Sequence, residues 1–157
     1  MRKRRALGLA AVLIAHQASG ARAQNAAGVS IISLQPLSFG VLIPGVPEHV
    51  DVTDVSRRAM LVLTGSGTVD LTLVLPGALT TRSGDEIPIR FGTADAALLA
   101  SPGGPVTLLN ALQVNRVQVT PDHPVYILIG GSVTATTIQR PGNYTAAVAL
   151  VASQPGI

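Results

Sequence analysis

The chain has no cysteine and no tryptophan, only two tyrosines and two phenylalanines, and 12 % charged residues in 157. Without cysteine no disulfide contributes, so stability has to come from an apolar core and backbone pairing. The near absence of aromatics removes the stacking platforms on which single-stranded nucleic acid or sugar recognition relies. A formal charge of +3 suggests an anionic partner, but Arg2, Lys3, Arg4, Arg5 and Arg22 all sit in the first 23 residues. The remainder has six arginines, no lysine and eight acids, so its formal charge is −2 and no basic surface for nucleic acid is expected. No apolar run reaches the roughly 20 residues that cross a bilayer as a helix, so no transmembrane span is expected.

What is present begins with a leader. Arg2-Lys3-Arg4-Arg5 precedes an apolar run over residues 6–15, polar residues, and then Ala21-Arg22-Ala23. A basic start, an apolar middle of about ten residues and a small-x-small end are the parts of a secretory signal peptide. Residues 1–23 are therefore expected to be cleaved, leaving Gln24 first. The protein is placed by export in the periplasm, at the cell surface or outside the cell. The remaining 134 residues suffice for one domain, over residues 24–157.

Apolar residues recur at every second position in Leu71-Thr72-Leu73-Val74-Leu75, Ile87-Pro88-Ile89-Arg90-Phe91 and residues 144–150, the period of a half-buried strand. Further strand-like runs cover residues 29–34, 37–43, 50–55, 59–64, 114–120 and 125–134. Turn residues separate them, as at Pro44-Gly45, Gly65-Ser66-Gly67, Pro121-Asp122 and Pro141-Gly142-Asn143. Eight or nine strands at this spacing predict an all-β, antiparallel β-sandwich. The one stretch with helical character is 93–99, which reads equally well as a loop. Few charges leave sheet edges undefended, so either a neighbouring chain covers an edge or prolines and bulges protect it.

Catalytic residue types are scarce. Past the leader the near-neutral bases are His49 and His123, and no nucleophile elbow, paired-histidine metal motif or phosphate loop occurs. His123, in Pro121-Asp122-His123-Pro124, reads as a turn residue. Glu48, Asp51 and Asp54 offer oxygen ligands for calcium, but Asp51 and Thr53 alternating with Val50 and Val52 also describe the wet face of a strand. Asp70 reads as a solvated strand residue, and Arg57-Arg58 as a solvated loop. No catalytic, cofactor or metal residue is assigned. Phe39 and Tyr144 are expected to anchor the core.

Several segments, in order, carry a family likeness. Leu37-Ser38-Phe39-Gly40 is followed by Ile43-Pro44-Gly45, and residues 59–65 end in Thr-Gly. Residues 71–76 end in Leu-Pro, Gly130-Gly131-Ser132-Val133 follows, and Pro141-Gly142-Asn143-Tyr144 opens the closing alternation. The chain thereby resembles a family of exported bacterial domains of unknown function related to spore coat protein U and to archaic chaperone–usher pilin subunits. It departs from that pattern in lacking the disulfide such pilins often carry and the glycines expected over residues 47–56.

The resemblance implies an immunoglobulin-like sandwich and a non-enzymatic structural role at the cell envelope or surface. For the pilin branch it implies assembly by strand complementation, with identical subunits or an assembly chaperone as partners. Residues 24–34 are then either a donated strand, presenting Val29 and Ile31, or an inner strand of their own domain, since Ile32 and Leu34 fall on the opposite face. The alternative function is a self-contained binding module that offers loops such as 93–105 to a ligand or protein partner.

Overall fold

A computed structural model describes residues 9–15 and 28–155. Among these residues there is no helix, and the strands form two facing sheets, a β-sandwich. One sheet has five strands in the order β10 (Val106–Leu109), β9 (Ala96–Leu99), β12 (Val125–Ile129), β5 (Ala59–Thr64) and β2 (Ser30–Gln35). The other runs β11 (Asn115–Val119), β6 (Gly67–Val74), β14 (Asn143–Ser153), β7 (Ala78–Thr80), β8 (Glu86–Arg90), β13 (Gly131–Thr134) and β4 (Pro47–Val50). To it β1 (Leu9–Ala15) adds β3 (Leu37–Leu42), because β1 pairs with both β14 and β3.

The alternation read from sequence sets the inward face. Leu61, Leu63, Ile127 and Ile129 of the five-stranded sheet meet Val69, Leu71, Ile87 and Tyr144 of the other, all essentially without exposure. The outer face of the larger sheet is polar, and there Asp70 lies opposite Arg116 and Thr68 opposite Gln118. The five-stranded sheet is different, because its outer face is apolar too. Ile32, Val62, Tyr126, Leu99 and Val106 fall in register across all five strands. This explains why 29–34 alternates so poorly: β2 has an apolar residue for each face. Part of that outer face is covered by Val52, which packs against Ala97, Leu99 and Leu128.

Glycine makes the passage between the sheets possible. The apolar run 125–134 is two strands, β12 in one sheet and β13 in the other, joined at Gly130. There the amide donates to the Asp95 carbonyl at 2.9 Å, and a Cβ would sit 2.2 Å from the Val50 carbonyl oxygen.

Several readings from sequence need correction. Residues 50–55 do not form a strand. After β4 ends at Val50 the chain turns repeatedly, because Asp51 accepts from the Thr53 amide at 2.8 Å and Asp54 from the Ser56 amide at 3.1 Å. Such side-chain-to-backbone bonds compete with a ladder. Residues 93–99 are not helical either: a turn closes over Thr93 and Ala94, the buried Asp95 accepts from the Gly92 amide at 2.7 Å, and β9 follows. The sequence reading contains no strand at β1, β4, β7, β9 or β10, and within the 93–105 loop Ala96–Leu99 is sheet.

Candidate functional site

The position of β1 singles out one place in the sandwich. It lies between β3 and β14, antiparallel to the first and parallel to the second. Val12 is flanked by Ser38 on one side and Thr145 on the other, and Leu13 by Leu37 and Ala146. Among the described residues β1 is the only strand with which β3 pairs. The remaining backbone ties near β3 are single bonds, such as Ser38 N–H to the Arg57 carbonyl at 2.8 Å.

The walls of this slot are shaped by sequence. β3 has one residue more than its partner, Phe39, between the pairs Val12–Ser38 and Ala11–Gly40, and Gly40 takes φ +68°. This bulge changes the phase of the strand, so Leu37, Phe39 and Leu42 all reach the core at 0–2 % exposure. Opposite, Tyr144 and Val148 of β14 are fully buried. The Tyr144 hydroxyl donates to the Arg140 carbonyl at 2.7 Å and accepts from the Gln139 amide nitrogen at 2.9 Å. Residues 37–42 and 143–153 contain no charged side chain. The slot is thus two backbone edges above an apolar floor, fitted to an uncharged extended segment.

Residues 9–15 belong to the apolar part of the expected leader. The rest of that leader, its cleavage point after Ala23, and residues 24–27 of the candidate donor lie outside the described residues. Of the candidate exchange residues, Ile31 pairs with Leu63 of β5, and Val29 and Ile31 both pack half-buried against the core. In the single chain β2 is therefore an edge strand of its own domain.

The titratable groups are arranged differently from their sequence reading. Arg57 forms ion pairs with Glu48 and with Asp54, the latter at 2.7 Å, and Arg58 donates to the Val52 carbonyl at 2.9 Å. The two arginines pin the 51–58 loop, and two of the three carboxylates considered for calcium are taken by Arg57. Asp70 is likewise paired, to Arg116 through two bonds of 2.8 and 3.1 Å. Among the described residues no three His, Asp or Glu side chains come together as a metal site. His49 Nδ1 lies 2.8 Å from Ser132 Oγ across the β4–β13 ladder. That contact is on an exposed strand face, and among the described residues no carboxylate holds the other ring nitrogen. His123 sits in the tight turn between β11 and β12, its amide bonded to the Thr120 carbonyl at 3.2 Å beside Asp122 at φ +62°.

Hydrogen bonds from Ser56 and Arg57 hold the Asp54 carboxyl at about 2, below its ordinary 3.8, and the Thr53 hydroxyl and amide lower Asp51 in the same direction. Because the folded carboxyl is the stronger acid, its contribution is complete above the unfolded value and is lost as pH falls through the folded one. The Ser56 amide resonance is accordingly expected to titrate with a midpoint near 2. A midpoint near 3.8 in an NMR acid titration would show that the turn is not formed.

Neither a protein-family model nor a curated protein matches the chain. Among the described residues no helix is long and apolar enough to cross a membrane.

Proposed function

We propose that the protein is an exported, non-enzymatic structural subunit of the cell envelope or surface, built as an immunoglobulin-like sandwich and joined to other chains by strand complementation. The observation that carries this reading is the origin of β1. The strand that closes the sheet between β3 and β14 comes from residues with the sequence of a cleavable leader. Once the leader is removed, the facing backbone edges of residues 37–42 and 143–148 need another strand, and the apolar floor beneath them needs cover. A segment from a second subunit or from an assembly chaperone supplies both by β-augmentation. The likeness to archaic chaperone–usher pilins points the same way.

The test is a denaturing gel of protein extracted from its native cells, run unheated and heated, with the N-terminal residue determined. A heat-sensitive ladder of subunits starting at Gln24 is expected; an unheated monomer that also elutes as a monomer without denaturant contradicts assembly. Since the slot has no charged residue, raising salt to about 1 M, where the screening length falls to about 3 Å, is expected to leave the ladder intact.

Ile31→Asp tells which strand is given. With Ile31 opposite Leu63 and half-buried on the core, the change is expected to cost the subunit about 2–3 kcal/mol in urea unfolding. Unchanged subunit stability with loss of the ladder would instead make residues 24–34 the donated strand.

A further inference from the structure

We infer that the leader has a second role besides export: in the uncleaved chain, residues 9–15 are the sandwich's own closing strand, and removing them is what makes the subunit receptive to another chain. The inference rests on the proposed strand complementation and concerns its regulation. Three observations carry it. First, β1 is no loose extension, since it pairs along both of its edges, in an unbroken ladder from Ala10–Asn143 to Ala15–Val148 with β14 and, with one bulge at Phe39, from Leu9–Leu42 to Leu13–Leu37 with β3. Second, β3 has no other strand partner among the described residues, so β1 is what joins Leu37, Phe39 and Leu42 to the larger sheet. Third, Ala21-Arg22-Ala23 lies in sequence between β1 and β2, so one cut separates the closing strand from the domain it closes.

The device is an intramolecular competitor. A strand tethered to its own slot is present at a high effective concentration, and a segment of another chain cannot displace it at ordinary concentrations. Cutting the tether reduces the leader to a free peptide, and the slot opens to whichever uncharged strand is nearby. An uncleaved chain is therefore a closed monomer, and a cleaved one is assembly-competent.

Absence of native cysteine makes the test direct. Uncleaved chain, produced without leader processing and carrying Val12→Cys with Thr145→Cys, is mildly oxidised. These residues are ladder partners on adjacent strands, within disulfide reach, and most molecules are expected to cross-link. Val12→Cys with Gln118→Cys, on the distant strand β11, is the control. Cross-linking no greater than in the control overturns the inference.

A second measurement uses Val12→Pro, which removes a ladder bond at the centre of β1 and leaves the remaining domain's sequence untouched. Amides of residues 37–42 and 143–148 are expected to exchange at least about tenfold faster in this variant of the uncleaved chain, with those of β5 and β12 unchanged. Equal protection with and without the proline contradicts the inference. Strand complementation fails separately, if the cleaved chain alone is a monomer with those same amides protected.

Discussion

Tyr144→Ala is expected to cost about 3–5 kcal/mol, a large share of the roughly 5–15 kcal/mol that stabilises a folded domain. The side chain is fully buried and is the largest such side chain among the described residues, in a protein with almost no other aromatics to fill the space. Its hydroxyl also organises the turn before β14, donating to Arg140 and accepting from Gln139, whose amide in turn donates to the Glu86 carbonyl at 3.0 Å. Tyr144→Phe separates the two contributions. It keeps the packing and removes the hydroxyl, so about 1 kcal/mol is expected, the size of one net hydrogen bond. Urea unfolding followed by far-ultraviolet circular dichroism measures both. A Tyr144→Ala loss below about 1 kcal/mol would mean that β14 is not anchored as described.

Gly130→Ala is expected to be nearly as damaging for a different reason. A new methyl group 2.2 Å from the Val50 carbonyl oxygen meets backbone, not a flexible side chain. Relief requires β4 to separate from β13, whose ladder pairs Gly131 with Val50, or the crossing between sheets to move. A loss of about 3 kcal/mol is expected, at the upper end of ordinary overpacking. Gly77→Ala, where a Cβ meets nothing within 4 Å, serves as the control and is expected to change stability by less than about 0.5 kcal/mol. Equal behaviour of the two variants in urea would rule out the tight crossing.

How far these features were legible depended on whether the cause was local. The segment 59–64 was read with its observed bounds, Ala59–Thr64, because β-branched and leucine residues end sharply at a Gly-Ser-Gly turn. The long closing strand was recognised from its alternation, which follows directly from one buried face. The helix-like stretch 93–99 misled because Ala96 and Ala97 are good helix formers, whereas their strand state comes from partners about thirty residues away in β12. The run 50–55 misled in the opposite sense: its alternation is that of a strand, but its aspartates capture nearby amides first. The pairing of Asp70 with Arg116 needed the β6–β11 register, which composition does not contain.

The slot itself was half visible. The Leu37-Ser38-Phe39-Gly40 element and the closing strand are both legible in the sequence, and both lack charge, as do residues 9–15. That shared absence was the available signal. It was hidden because an apolar leader and an apolar strand obey the same compositional rule, so residues 9–15 were explained by export alone. Only the ladders to β3 and β14 show that the same residues also suit a place in the sheet.

The most direct measurement is amide hydrogen exchange on the leader-free protein, isolated from its native cells without denaturant and then dissociated into single subunits. Protection of residues 37–42 and 143–148 is expected in the isolated assembly, and its loss is expected in the dissociated subunit while β5 and β12 stay protected. A dissociated subunit that keeps both strands protected without any partner would contradict an open slot, and with it strand complementation.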